Sequence, residues 1–147
     1  MRHRRAFSLI EVVVVLALTA VLSLIAFTTF ENIRSESRDR TARSALETVA
    51  GAQETYHLDR GRWGVTAEAM TAFSRDEFTV TGGGSTGPDV VSIAEITFQG
   101  HEALGLAVLD GNANCLTLVL LPPELGQSEN VQRRPGGTCD GTTAGQP

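Results

Sequence analysis

The chain has 147 residues and a formal net charge of −5, with 41% hydrophobic and 20% charged residues. That length holds one small domain plus an additional segment, not two independent domains. Every basic side chain other than His is Arg, so the absence of Lys excludes Schiff-base chemistry and a P-loop lysine, and the acidic balance argues against a generic binder of phosphate backbones.

Met1-Arg2-His3-Arg4-Arg5 is short, basic and free of acids. It precedes Ala6-Phe7-Ser8-Leu9-Ile10-Glu11 and an apolar run from Val12 to Phe30. The run holds no charge, Gly or Pro. At about 1.5 Å per helical residue, its roughly 19 residues nearly cover the ~30 Å hydrocarbon layer of a bilayer. A helix satisfies its own backbone hydrogen bonds, which lets such a run reside in lipid. Arginines at its start hold that end in the cytoplasm and direct the remainder outward. A cleaved secretory signal has the same polarity, but this run is long for an h-region. Glu31-Asn32-Ile33-Arg34 also offers no small-x-small cleavage site, so a retained helix is favoured. Glu11 is the anomaly. An uncompensated carboxylate in lipid costs on the order of 3 kcal/mol, so it requires a partner or a task.

Arg5-Ala6-Phe7-Ser8-Leu9-Ile10-Glu11 resembles the processing and assembly signature of type IV pilins and pseudopilins. In that family a short basic leader ends in a small residue and is cleaved just before a Phe by a dedicated prepilin peptidase. The resemblance implies that Ala6 ends the leader, that Phe7 becomes an N-methylated terminus, and that Glu11 guides subunit packing. A protonated α-amino group on Phe7 of one subunit would neutralise Glu11 of its neighbour. Removing Arg2, Arg4 and Arg5 would take the formal side-chain charge from −5 to −8. Two positions depart from the pattern: Ala6 stands where Gly is usual, and Thr28 stands where a Pro is common late in the apolar helix.

From Glu31 to about Asp59 the chain turns polar but keeps a helical period, with Ala42, Ala45, Leu46, Val49, Ala52 and Tyr56 forming one stripe. Glu36–Arg40 and Asp39–Arg43 stand at the i,i+4 spacing on the other face. Gly51 interrupts the pattern at a cost near 1 kcal/mol relative to Ala. One helix from Phe7 to about Leu58 is the simplest reading; an anchor followed by a separate amphipathic helix is the alternative. Asp59-Arg60-Gly61 supplies a stop. The stretch Ala52 to Trp63 again resembles the helix end and following turn of the pilin family. Thr66 to Phe73 reads as a short helix capped by Thr66.

The remainder reads as strands: Phe78-Thr79-Val80, then Val90 to Phe98 with a parity slip near Ala94 that suggests a bulge. Leu104–Leu109 and Cys115–Leu121 flank Asp110-Gly111-Asn112-Ala113-Asn114 as a hairpin, which Pro122-Pro123 terminates. Glu124 to Pro147 is polar and Gly-rich without periodicity, and mobile final residues are expected there. The expected fold class is α+β and pilin-like. A long N-terminal helix, half transmembrane and half amphipathic, packs against a small antiparallel sheet. The expected divisions are a leader at 1–6, a transmembrane half-helix at 7–30, an external half-helix at 31–60 and a head at 61–147. Cys115 and Cys139 fall on the exported side, where disulfides persist, and a C-terminal disulfide loop is also what the resemblance implies. Such a staple is worth roughly 3 kcal/mol in the chain-entropy model.

Several motifs fail on context. Gly82-Gly83-Gly84-Ser85-Thr86-Gly87 matches G-x-G-x-x-G, but Pro88-Asp89 and a β-rich run follow it instead of a helix, so it reads as a loop. Asp110, Asn112 and Asn114 match the start of a Ca²⁺ loop, yet Cys115 replaces the Gly and Leu121 the distal carboxylate, leaving a turn. His3, His57 and His101 are scattered and form no zinc set, so neither a metal, a cofactor nor a catalytic group is expected. Tyr56, Trp63 and Phe73 read as lid and core residues. Arg133-Arg134 reads as a solvated loop, too small a pair to hold DNA.

The expected function is that of a structural subunit of a type IV pilus or pilus-like filament. It would be processed by prepilin peptidase, held by the cytoplasmic membrane with its N-terminus inside, and assembled with like subunits by the pilus machinery. The rivals are a pseudopilin of a type II secretion system, a minor pilin that primes filaments or captures DNA, and an anchored binding protein that never polymerises.

Overall fold

The computed structural model describes residues 8–126 and 131–146. Helix α1 spans Leu9–Arg60 without interruption, and α2 spans Ala67–Phe73. The strands are β1 Thr79–Thr81, β2 Val90–Phe98, β3 His101–Leu109, β4 Asn114–Leu120 and β5 Gln132–Pro135. Two 3₁₀ turns, Pro123–Leu125 and Gly141–Thr143, interrupt the C-terminal part. The chain divides into two compact units between Arg34 and Ser35.

In the first unit, the apolar side chains of α1 from Leu9 to Ile33 are exposed, as for Leu16, Leu22 and Phe27. By length and composition this is a helix able to cross a membrane. Three hydroxyls turn back on the helix: Thr19 donates to the Leu16 carbonyl, Ser23 to that of Thr19 and Thr29 to that of Ile25, at 2.7 to 3.0 Å. Polar groups satisfied in this way are compatible with lipid.

In the second unit, α1 buries Ala42, Ala45, Leu46, Val49 and Ala50. They pack against the face of the sheet that carries Ile93, Leu106, Leu116 and Leu118. The helix ends at Arg60 because Gly61, at φ +65°, takes the left-handed conformation and its amide donates to the His57 carbonyl at 2.7 Å. Thr66 caps α2 by accepting the Ala69 amide at 3.3 Å.

The sheet runs β1-β2-β3-β4-β5 and is antiparallel except for β1, which pairs with β2 in parallel. The expected all-antiparallel sheet is corrected at this strand. Residues 82–89 carry the chain back so that Thr79 stands opposite Val90, a short return because β1 has only three residues. The expected bulge near Ala94 is absent, since β2 pairs continuously with β3 from Ser92↔Ala107 to Phe98↔His101. The parity slip has another cause. Val91 and Ile93 face α1, whereas Ile96 and Phe98 face the opposite way and pack with Ala103, Val119 and Ala144. Both faces of β2 are therefore used, each at a different end of the strand.

The C-terminal segment, read from the sequence as irregular and without periodicity, contains a strand. It supplies β5, paired with β4 from Asn114↔Pro135 to Thr117↔Gln132, and then crosses the sheet face away from α1. Gly141 donates from its amide to Ser92 Oγ at 2.9 Å, and Ala144 is buried at 3% exposure. The small residues Ala94, Ala103 and Gly105 leave room for this second layer. A Cβ on Gly105 would run into the Gly141 carbonyl.

Candidate functional site

The N-terminal segment carries the candidate assembly residue. Ser8 opens α1, accepting the amides of Glu11 at 3.0 Å and Val12 at 3.2 Å on its carbonyl. Glu11 thus lies in the first turn, where the partial positive charge of unpaired amides favours an anion. It has no ion-pair partner among the described residues, and Leu9, Ile10, Val12 and Val13 around it are all exposed. A lone carboxylate on an otherwise apolar helix surface is costly in lipid unless a cation from outside the helix compensates it. Ala6 and Phe7, the expected cleavage pair, lie outside the described residues, as does His3.

In the head, Arg133 is the central cation. Its guanidinium contacts the Asp39 carboxylate of α1 and lies 3.5 Å from Asp110 of the β3–β4 turn. This corrects the reading of Arg133-Arg134 as a solvated loop: both residues belong to β5, and Arg133 joins helix, turn and strand. Asp110 has no exposed side-chain surface. Its Oδ1 accepts the Asn112 and Asn114 amides at 2.8 Å each, and Oδ2 accepts the Asn114 side-chain amide at 2.9 Å. Burial pushes this carboxyl's pKa up. The hydrogen bonds from Asn114 and Asn112 and the charge of Arg133 outweigh burial, so the net pKa lies below the ordinary 3.8. The carboxylate therefore holds a turn together, with its lone pairs already engaged.

Cys115 and Cys139 form a disulfide across 24 residues of sequence. The Gly-rich loop packs beside it. The Ser85 amide donates to the Cys139 carbonyl at 2.7 Å, and Ser85 Oγ accepts the Leu109 amide at 3.0 Å. A strand follows this loop instead of a helix, so its amides are not arranged for a pyrophosphate.

The aromatics close the far end of the head. Tyr56 meets Phe73 edge-on with ring centroids 5.6 Å apart, Arg60 lies over Tyr56 at 5.5 Å, and His57 lies 4.3 Å from Trp63. A cleft of about 650 Å³ between α1 and the Arg75–Phe78 turn is lined by hydroxyl, Arg and carboxylate side chains. Sequence reasoning missed Gln53, Ser85, Arg133 and the Gly105–Gly141 contact. Gln53 alone carried a signal, being a polar residue adjoining the buried helical stripe.

Residues 1–27 match the family model of the prokaryotic N-terminal methylation motif. No curated protein and no solved structure matches the chain. The chain carries at its N-terminus the methylation motif that marks the class III leader of type IV pilins, and its long N-terminal helix with an α+β head gives it a pilin-like fold.

Proposed function

We propose that this chain is a structural subunit of a type IV pilus or pilus-like filament. It would be inserted as a precursor, cleaved between Ala6 and Phe7 by prepilin peptidase, and N-methylated on Phe7. The apolar half of α1 then exchanges lipid for the same half-helix of neighbouring subunits, while the heads form the outer surface. Copies related by a heterologous contact do not close into a ring, so the product is a fibre. Glu11 sets the register. In lipid a subunit carries an uncompensated acid, and docking at the correct axial position brings the α-amino group of another subunit against it.

One observation carries this reading: the methylation motif leads directly into a 52-residue helix whose apolar N-terminal part is uncovered. Intact mass and N-terminal sequencing of the membrane form test it. The expected product begins at Phe7 and bears one methyl group. With no Lys in the chain, the terminal amine is its only amine, so an amine-directed tag reports that end alone. Recovery of Met1–Ala6 still attached, in cells with a working leader peptidase, would refute the proposal. A retraction motor or a secretin encoded beside the gene would assign the filament to a pilus or to a secretion machine.

A further inference from the structure

Among the described residues, the second unit carries unpaired charges of opposite sign at its two ends. Strand β3 runs from the Gln99–Gly100 turn to the Asp110–Ala113 turn, so its ends lie roughly 27 Å apart at about 3.4 Å per residue. At the Asp110–Ala113 end, a Cβ on Gly111 would meet the Ser35 carbonyl and the Arg38 side chain, which places Arg38 there. Arg134 lies at the same end but on the opposite sheet face, standing opposite Cys115 at the start of β4. Neither Arg38 nor Arg134 has a carboxylate partner among the described residues, whereas Arg40, Arg43 and Arg133 are each paired.

Glu95 and Glu102 mark the other end. Glu95 stands opposite Leu104 and Glu102 opposite Thr97, so the two acids are diagonal neighbours on one face. With Thr97 they line a cleft of about 190 Å³ walled by Trp63, whose ring is held by His57. Neither acid has a basic partner among the described residues. Two adjacent carboxylates repel, and a cation between them removes that repulsion. An aromatic wall suits a flat guanidinium, which stacks and also forms paired hydrogen bonds with carboxylates.

We infer that two copies of this chain meet head to tail, with Arg38 of one copy entering the Glu95–Glu102–Trp63 cleft of the next. Charge complementarity between the two ends of one molecule makes the contact self-specific and heterologous. It deepens the filament reading on which it rests, giving the heads a register of their own in addition to that of Glu11. Its strength falls as salt rises, because the groups are exposed.

Charge reversal in cells that assemble the filament tests this contact. Arg38→Glu and Glu102→Arg are each expected to lower sheared-filament yield about tenfold, and the double variant to recover it to within about threefold. Far-UV circular dichroism of each purified variant confirms that it is folded. A second measurement does not depend on filaments. Full-length Asn112→Cys and Thr97→Cys chains, which keep Arg38, Glu95 and Glu102 in place, are co-expressed and treated with a bismaleimide, their new thiols being the free ones because Cys115 and Cys139 are bonded to each other. A mixed dimer is expected at low salt and is lost in high salt. Filaments insensitive to either reversal, with no mixed dimer, overturn the inference and leave the filament reading intact. A mixed dimer without any wild-type filament overturns the filament reading and supports the contact. Cross-linking of Thr97→Cys only to another protein overturns the contact.

Discussion

The buried side chain of Gln53 and the backbone of Gly64 exchange two hydrogen bonds: Nε2 donates to the Gly64 carbonyl at 3.1 Å, and the Gly64 amide donates to Oε1 at 2.9 Å. One amide side chain thereby completes a stretch of backbone that no strand or helix serves, and it ties the last turns of α1 to the loop that follows. Gln53→Ala leaves both Gly64 groups buried without partners and opens a void, which costs about 2–4 kcal/mol. Denaturant unfolding followed by Trp63, the chain's one Trp, measures this. A loss under about 1 kcal/mol would show that water replaces the amide.

Gly141 admits no side chain. A Cβ there would stand 2.6 Å from the Ala94 nitrogen and from the Gly105 oxygen, both rigid backbone. Gly141→Ala is expected to lift the 3₁₀ turn off the sheet and to cost at least about 2–3 kcal/mol, similar to removal of the disulfide with Cys139→Ser. Hydrogen exchange at residues 139–146 reads it directly. Unchanged protection there would mean that the second layer on the sheet is dispensable.

The Asp110 turn predicts an acid-sensitive head. Its carboxyl is held below 3.8 in the folded chain, so its contribution is complete above that value and is lost as pH falls through the lower folded pKa. Asp110→Asn removes the charge and costs about 1–3 kcal/mol at neutral pH. The gap between wild type and variant should narrow as pH falls below 3.8 and close once Asp110 is protonated in the folded chain, at its lower folded pKa. A gap of constant size from neutral pH to strong acid would contradict the assignment.

Glu11→Val removes the only acid in the first turn of α1 while leaving the apolar surface intact. The variant should stay in the membrane fraction and be processed, yet filament yield should fall about tenfold or more, the scale set by a lost intramembrane pairing of 1.4 kcal/mol or above. Wild-type yield from this variant would dismiss Glu11 as the register device.

Some of this molecule was legible one residue at a time. Local rules mark helix ends, and they hold here: Gly61 stops α1, Thr66 caps α2, and Glu36–Arg40 and Asp39–Arg43 pair at the i,i+4 spacing. The β3–β4 turn was equally readable, because Asp110 bonds to amides two and four residues ahead. The Gln99–Gly100 turn, with φ of 51° and 85°, belongs to the same local class. The Ala94 parity slip misled because periodicity reports which face is buried and not what buries it.

The order of residues alone determined the helix able to cross a membrane, the methylation motif and the lone acid, since each depends on composition within a few turns of one helix. Only the tertiary structure decided the role of the C-terminal segment, the parallel placement of β1 and the bridging by Arg133. These depend on contacts between residues far apart in the chain, such as Arg133 with Asp39 and Gly141 with Ser92. No local pattern encodes such pairs, because their free energy exists only once both partners have been brought together.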